Sequence, residues 1–188
     1  MKQDEPRLNG TYIILGKTRS GKSTFIVQKI IPSYITIGMK VNLFYKQGNS
    51  AYDELRNEDG TAKDGINLYC ISKIDQLLPI IKSSWNSVFF FDDCLSIIGK
   101  RMPIELEDLM RDNGMKNNES FFVYHGFKQV HSPVMVFAEK IICFITNDSP
   151  RSKPDFFSVE QYRFFDKEKK RLKKLKKKFQ CFELPYNS

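Results

Sequence analysis

The stretch GKTRSGKST, residues 16–24, fits the phosphate-binding pattern G-x-x-x-x-G-K-[ST] at every position. Residues 11–15 (TYIIL), directly before it, form an apolar run typical of a strand, and residues 23–31 contain no Gly or Pro and can open a helix. A strand, a glycine-containing loop and a helix therefore arrive in the order that the pattern requires. A glycine-rich turn that matches by chance is the alternative, and the agreement of both flanks argues against it.

This loop predicts binding of ATP together with Mg²⁺. Consecutive backbone N–H groups in such a loop surround the β-phosphate at the positive end of the following helix. We expect Lys22 to reach the β- and γ-phosphates, Ser23 to bind Mg²⁺ through its hydroxyl, and Thr24 to lie near the α-phosphate. The predicted nucleotide-binding residues are Gly16, Lys17, Thr18, Arg19, Ser20, Gly21, Lys22, Ser23 and Thr24.

A second motif follows the loop by about 70 residues, a separation at which an acid-tipped strand becomes informative. Residues 87–91 (SVFFF) predict a buried strand that ends at Asp92 and Asp93. Ligands bind at the carboxyl ends of the strands in open α/β sheets, so Asp92 is predicted to hold Mg²⁺ opposite Ser23. Asp93 is predicted to orient and activate the attacking water, and a helix-capping role is the alternative.

The rest of the chain predicts alternating strands and helices. The predicted strands are residues 41–46, 67–71, 121–124 and 141–146, and the predicted helices are residues 75–84 and 104–112. We expect Pro32 and Gly38 to end the first helix, Asn113-Gly114 to end the helix at 104–112, and residues 53–66 to form a polar surface excursion. In a chain of 188 residues, 41% of them hydrophobic, this alternation predicts one α/β domain with a mostly parallel sheet covered by helices on both faces.

His125 follows the predicted strand at 121–124. A polar side chain at the tip of the strand beside the acid-bearing one is well placed to sense the γ-phosphate. The alternative is a histidine that only satisfies a local hydrogen bond in a loop.

The net charge of +8 is concentrated near the C-terminus. Residues 167–178 (KEKKRLKKLKKK) contain eight Lys, one Arg and one Glu. They belong to a predicted helix from 157 to about 177, followed by an edge strand at 182–184. The packed face of this helix is predicted to carry Phe165, Leu172, Leu175 and Phe179. We therefore divide the chain into an ATPase core, residues 1–150, and a basic helical extension packed on it, residues 151–188.

The lysine run has two interpretations. It is either a solvated helix face or a surface for a polyanion, and its isolation on an otherwise neutral chain favours the polyanion. The predicted DNA contacts are Lys173, Lys174, Lys176, Lys177 and Lys178.

The four cysteines show no C-x-x-C spacing, and three lie in apolar runs, which predicts buried, reduced thiols. The chain begins without a signal-like segment, and no run approaches the roughly 18 apolar residues that a membrane span needs. We therefore expect a protein that is neither secreted nor anchored in a membrane.

With these motifs placed, the chain resembles the FtsK–HerA superfamily of P-loop ATPases, particularly the small viral genome-packaging ATPases. The resemblance rests on residues 16–24 as Walker A, residues 89–93 as Walker B, and residues 113–125 as the loop and strand that lead to the sensor position. It implies a RecA-like core, a ring-shaped homo-oligomer and ATP-driven translocation of DNA, in the host cytoplasm or associated with the virion. A capsid-vertex or membrane protein is a candidate recruiting partner.

The resemblance also bears on single residues. The family often has Glu where Asp93 stands and Gln where His125 stands. It tends to place basic residues in the connection before the sensor strand, so Arg111 is the first candidate for an arginine that completes a neighbouring subunit's site. Arg101 and Arg151 are the other candidates.

Three other functions fit parts of the sequence. One is a P-loop nucleotide or small-molecule kinase, although no Arg-rich lid pattern is present. A second is an assembly ATPase of the filamentous-phage type, whose relatives usually carry a transmembrane segment. A third is a non-catalytic assembly protein that uses the loop as a nucleotide-gated switch. Phosphate release stimulated by DNA would separate the translocase from the kinase and the switch.

Overall fold

A central sheet organises the computed structural model, which describes residues 10–71, 74–175 and 180–184. Within those residues the sheet has seven strands: β1 (Thr11–Leu15), β2 (Lys40–Tyr45), β3 (Ile66–Cys70), β4 (Ser87–Phe91), β5 (Glu119–Tyr124), β6 (Ala138–Cys143) and β7 (Phe182–Leu184). Their order is β3-β2-β4-β5-β1-β6-β7. All neighbours are parallel except β6 and β7, which are antiparallel. The mostly parallel sheet and its edge strand at 182–184 are confirmed.

Helices cover both faces of the sheet. In the described residues they are α1 (Lys22–Phe25), α2 (Ile31–Thr36), α3 (Leu78–Ser83), α4 (Cys94–Ile98), α5 (Ile104–Lys116), α6 (Ser132–Phe137) and α7 (Val159–Leu175). A π-helical segment, Ile26–Ile30, joins α1 to α2, so one helical run extends from residue 22 to residue 36.

The strand side chains alternate between two cores, as a period of two residues requires. From β4, Val88 and Phe90 pack with the helical run at 22–36, whereas Phe89 and Phe91 pack on the other face with α3 to α7. Every residue of β4 is buried. Full burial of one such phenylalanine contributes about 1.5–3 kcal/mol, so this strand anchors both layers and fixes the position of the acids that follow it.

The C-terminal segment contributes to the core. Phe165 and Leu172 of α7 are buried in the cluster beneath α3 to α6. Leu175, predicted for the packed face, is instead 40% exposed in the last turn of the helix. Phe179 lies outside the described residues, and the domain boundary at residue 150 stays a prediction.

Two predicted helix ends were wrong. The first helix continues past Pro32, because the proline lies in the first turn of α2 and the π-helical segment precedes it. Helix α5 runs through Asn113 and ends at Lys116, because Asn113 points into the protein and not into a turn. Its amide donates hydrogen bonds to the backbone oxygen of Gly10 (3.2 Å) and to Ser120 Oγ (3.1 Å).

Other boundaries and burial predictions also needed correction. The supposed surface excursion at 53–66 buries Leu55, and β6 starts at Ala138 and ends at Cys143, three residues earlier than predicted at each end. All four cysteines are free, and Cys94 and Cys143 are buried, but Cys70 is exposed. Across the described residues, we find no helix with the length and apolar character needed to cross a bilayer.

Candidate functional site

The phosphate-binding loop follows β1 and lies between the carboxyl ends of β5 and β6, the two strands that flank β1 in the sheet. Gly16 N–H donates to the Tyr124 oxygen (3.2 Å), and Lys17 N–H donates to the Ile145 oxygen (2.9 Å), so the loop is tied on both sides. A Cβ at Gly16 would lie 2.6 Å from both Phe144 Cβ and Ser20 Oγ, which leaves room only for glycine. The geometry of the phosphate-binding loop is therefore determined by close packing at Gly16 as well as by the motif.

The inside of the loop fits an anion. Gly21 adopts a left-handed backbone conformation (φ 97°) directly before the helical run at 22–36, which places backbone N–H groups and the positive end of the helix at the loop. Ser20 Oγ is buried and has no hydrogen-bond partner among the described residues. A phosphate oxygen would supply the missing acceptor, so the loop suits the nucleotide predicted for it.

Lys22 is buried inside the loop, with only 6% of its surface exposed. Its ammonium donates to the backbone oxygens of Gly16 (2.6 Å) and Lys17 (3.2 Å). Burial lowers the pKa of Lys22, and the nearby carboxylates of Asp92 and Asp93 oppose that shift. An anionic ligand would further favour the charged form, because an opposite charge offsets the cost of desolvation.

Ser23 and Asp92 meet as the sequence predicts. Ser23 Oγ donates to Asp92 Oδ2 at 3.2 Å, and Asp92 is 7% exposed at the end of β4. Together they present a hydroxyl and a carboxylate oxygen, which are the hard oxygen ligands that Mg²⁺ prefers in nucleotide sites. The donor set therefore fits the predicted ion, with the remaining ligands coming from phosphate and water.

Two residues that the sequence analysis missed also contact this pair. Asn49 donates from Nδ2 to Ser23 Oγ (3.0 Å) and to Asp92 Oδ2 (2.9 Å), and the Tyr52 hydroxyl donates to Asp92 Oδ2 (2.5 Å). Both follow β2, which is the direct neighbour of β4 in the sheet. The sequence feature that could have identified them is the polar turn at residues 47–50, which follows a strand of the parallel sheet at its carboxyl end.

Asp93 faces His125 across the cleft. Asp93 Oδ1 lies 3.5 Å from His125 Nε2, and His125 Nδ1 lies 3.4 Å from Lys22 Nζ. Because the lysine ammonium can only donate, Nδ1 is the acceptor in that contact, and Nε2 faces the carboxylate. The hydrogen bond from His125 is the main reason that the pKa of Asp93 is lowered. His125 lies at the tip of β5, between the loop strand and the acid-bearing strand.

The capping alternative for Asp93 is weakened by its geometry. Asp93 precedes α4 with a left-handed backbone conformation (φ 59°), yet within the described structure its carboxylate accepts no hydrogen bond from the first backbone amides of that helix. Aspartate tolerates this conformation better than most residues. The side chain lines the cleft, and a hydrogen bond from the Ser96 side chain in α4 also contributes to its lowered pKa.

One cleft, which the buried Tyr52 does not line, brings most of these groups together. Its volume is about 900 Å³, and it is lined by residues 18–24, residues 46–51, Asp92, Asp93 and His125. It opens at the carboxyl end of the parallel strands, where ligands bind in this class of sheet. This volume is in the range of pockets that bind cofactor-sized ligands.

The remaining predicted residues lie elsewhere. Arg111, on α5, is exposed and pairs with Asp108 of the same helix (2.8 Å), and it contacts no cleft residue in the described structure. Lys173 and Lys174 are exposed in the last turn of α7. Lys176, Lys177 and Lys178 lie outside the described residues. The roles of all these side chains stay predictions.

No protein-family model matches the sequence, and no curated protein matches it by sequence. Solved structures do match its fold. The genome-packaging NTPase B204 from Sulfolobus turreted icosahedral virus 2, in complex with sulfate, superposes with a TM-score of 0.70 at 16% identity, covering 96% of this chain and 92% of that chain. The chain has a RecA-like P-loop NTPase fold. The resemblance to viral genome-packaging ATPases, drawn from the motifs, is confirmed at the level of fold.

Other solved structures share this fold, over shares of the chain that range from 71% to 95%. ATPases 2 and 3 of EssC from Geobacillus thermodenitrificans match with a TM-score of 0.58 at 17% identity, covering 79% of this chain and 34% of that chain. A KaiC-like protein from Pyrococcus horikoshii OT3 matches with a TM-score of 0.50 at 15% identity, covering 71% and 70%. The B204 complex with AMPPCP matches with a TM-score of 0.68 at 16% identity, covering 95% and 93%.

Proposed function

We propose that the protein binds ATP with Mg²⁺ and hydrolyses it. The observation that carries the proposal is the Ser23–Asp92 contact of 3.2 Å beside a complete phosphate-binding loop. Ser23 and Asp92 would hold the ion, which would neutralise charge that develops on the phosphates. Lys22 adds a second positive charge from the loop.

Asp93 is the group that orients the attacking water. Its carboxylate lines the cleft beside Asp92, and the hydrogen bond from His125 lowers its pKa, so the group is ionised at neutral pH and can accept a hydrogen bond from the attacking water. His125 holds this carboxylate on one side and the ammonium of Lys22 on the other. His125 therefore links Lys22, which faces the γ-phosphate, to Asp93, which faces the water.

The process driven by hydrolysis is proposed to be translocation of DNA, as in genome packaging. Two observations support it. The fold likeness to the packaging NTPase B204 extends over nearly the whole of both chains. The exposed side of α7 is rich in cations, among them Lys173 and Lys174, which suits contact with phosphates. A ring of identical subunits would allow one subunit to complete the site of the next.

The test is phosphate release from ATP, measured with and without duplex and single-stranded DNA, beside the oligomeric mass of the same sample. We expect release that requires Mg²⁺ and rises when DNA is added to an oligomer. Binding of ATP without release would support a nucleotide switch, and transfer of the γ-phosphate to an added acceptor would support a kinase. Release that DNA leaves unchanged would contradict the translocase.

A further inference from the structure

The segment after β2 supplies two hydrogen-bond donors to Asp92: Asn49, which lines the nucleotide cleft, and the buried Tyr52. Asn49 lies in the turn that ends β2, and its Oδ1 accepts a hydrogen bond from Ala51 N–H (3.3 Å), which starts a 3₁₀-helix at Ser50–Leu55. Tyr52, in that helix, is 1% exposed, and its ring packs on Tyr45 with centroids 5.0 Å apart. Both side chains are thus fixed by their own surroundings before any ligand arrives.

Three hydrogen bonds converge on one oxygen of Asp92. Oδ2 accepts from Tyr52 Oη (2.5 Å), Asn49 Nδ2 (2.9 Å) and Ser23 Oγ (3.2 Å). None of the hydrogen bonds among the described residues involves Oδ1. Asn49 Nδ2 also lies 3.0 Å from Ser23 Oγ, so one amide contacts both of the groups predicted to hold the ion.

This arrangement limits how the carboxylate can move. A carboxylate attached to the end of a strand turns about its last side-chain bond unless its oxygens are held. Donors fixed on a neighbouring segment stop that rotation and leave the second oxygen available to a ligand. Groups of this kind, outside the ligands themselves, orient the ligands and set metal affinity.

We propose that Asn49 and Tyr52 are positioning residues that hold Asp92 and Ser23 in the geometry needed to bind Mg²⁺ with the nucleotide. The inference rests on the proposed function only in requiring that the cleft bind a metal–nucleotide complex, and it does not depend on DNA. Asn49 and Tyr52 act through Asp92 and Ser23, which are the groups that touch the ion.

The competing interpretation is that Tyr52 is a core residue whose hydroxyl merely finds an acceptor. Removal of the hydroxyl would then change stability and leave metal affinity alone. The chain offers a matched control in Tyr45, a buried tyrosine that packs against Tyr52 but whose hydroxyl accepts from Arg56 (2.9 Å) and does not bond to the acid.

The experiment compares wild type with Tyr52→Phe, Asn49→Ala and the control Tyr45→Phe. Binding of a fluorescent ATP analogue is measured first without metal, and then as a function of Mn²⁺, whose binding is also followed by electron paramagnetic resonance. We expect unchanged affinity for the metal-free analogue in all four proteins. The Mn²⁺ concentration for half-saturation should rise about 10- to 100-fold in Tyr52→Phe and Asn49→Ala, and stay unchanged in Tyr45→Phe.

Thermal unfolding of each variant shows whether an effect is local. A rise in the half-saturating Mn²⁺ concentration at unchanged melting temperature supports the positioning role. Wild-type Mn²⁺ affinity in both Tyr52→Phe and Asn49→Ala, or an equal loss in Tyr45→Phe, overturns it. Failure of the wild type itself to bind the analogue with Mn²⁺ would overturn the proposed function, and this inference with it.

Discussion

The two ends of the central sheet both bury acidic side chains, but they satisfy them differently. At the carboxyl end, Asp92 accepts three hydrogen bonds on one oxygen. At the amino end, Glu119 begins β5 with no exposed surface and accepts a hydrogen bond from Tyr34, while its Oε1 has no hydrogen-bond partner among the described residues. Asp92 thus accepts hydrogen bonds from three donors, and Glu119 accepts from one.

The two ends also shift the pKa of an acid in opposite directions, as Glu119 and Asp93 show. Burial raises the pKa of Glu119 to about 7, with a further rise from the charge of Glu139. At the other end of the sheet, the hydrogen bond from His125 lowers the pKa of Asp93. Burial alone therefore does not mark a functional acid. The carboxyl end supplies the hydrogen bond that favours the ionised form of Asp93, and the amino end favours the neutral form of Glu119.

The largest expected effect comes from removing the buried cation at the carboxyl end. Lys22→Ala should lose ATP turnover altogether and bind ATP about 100-fold more weakly, because it removes charge-assisted hydrogen bonds to phosphate. Lys29→Ala, at an exposed position of the same helical run, is the control and should behave as wild type. Equilibrium binding and phosphate release measure both effects. Near-normal binding by Lys22→Ala would show that this end of the sheet is not a phosphate site.

The next effect tests whether a neighbouring subunit completes the carboxyl end. Loss of an arginine supplied in trans lowers turnover about 10³- to 10⁵-fold in P-loop enzymes. Among the described residues, Arg111 is held only by its surface pair with Asp108, which contributes about 0.2–1 kcal/mol and does not prevent such a role.

Arg111→Ala and Lys22→Ala should each be inactive alone and should partly recover turnover when mixed, because some junctions then pair an intact loop with an intact arginine. Phosphate release from the mixture measures this, once mixed oligomers are shown to form. Absence of any recovery would remove Arg111 from the role and leave Arg101 and Arg151 as candidates.

A smaller effect tests the amino end. Between pH 4.5, the ordinary pKa of a glutamate, and pH 7, folded protein retains the Glu119 proton after the unfolded chain has released its own. Stability therefore falls as pH rises through this range, by about 3 kcal/mol. Glu119→Gln should remove this slope, and Glu58→Gln, at an exposed position, should keep it.

Urea unfolding at pH 5, 6, 7 and 8 measures the slope in all three proteins. If Glu119→Gln and wild type lose stability in parallel, Glu119 is ionised throughout, and the contrast between the two ends of the sheet disappears.

The smallest effect concerns α7, which belongs to neither end. Replacing Lys173 and Lys174 together by Gln should weaken binding to duplex DNA uniformly across sequences. The slope of log affinity against log salt should flatten by about 0.9 for each DNA phosphate that the variant no longer neutralises. A Lys29→Gln, Lys63→Gln double variant, at exposed positions with the same change in charge, is the control. An equal change in both doubles would mean that net charge, and not α7, determines the slope.

Much of the site at the carboxyl end of the sheet could be predicted from the sequence, because its main residues lie in short contiguous motifs. The loop carries its own strand and helix, and an apolar strand that ends in acids places Asp92 and Asp93 at the same edge of a parallel sheet. The neighbour relation between β4 and β5 also put His125 where it was expected. These predictions needed only short-range patterns and the direction of the strands.

Asn49 and Tyr52 were missed for a physical reason. Their contacts with Asp92 span about 40 residues and depend on β2 lying beside β4, an order that no local pattern determines. Two errors in the helices have a similar origin. Asn113-Gly114 has the local pattern of a helix end, and the buried hydrogen bonds that Asn113 makes with other elements cannot be recognised from that pattern. Pro32 has the pattern of a helix break, and the sequence does not indicate the π-helical segment that precedes it.

The most direct test of the central claim, that the carboxyl end of the sheet hydrolyses ATP with Asp93 orienting the water, is a single-turnover measurement on Asp93→Asn. Asparagine keeps the shape of the side chain and tolerates the left-handed backbone at this position. We predict that ATP and Mg²⁺ bind as in wild type while the rate of phosphate formation falls about 10²- to 10⁴-fold. Phosphate formation at the wild-type rate would contradict the claim.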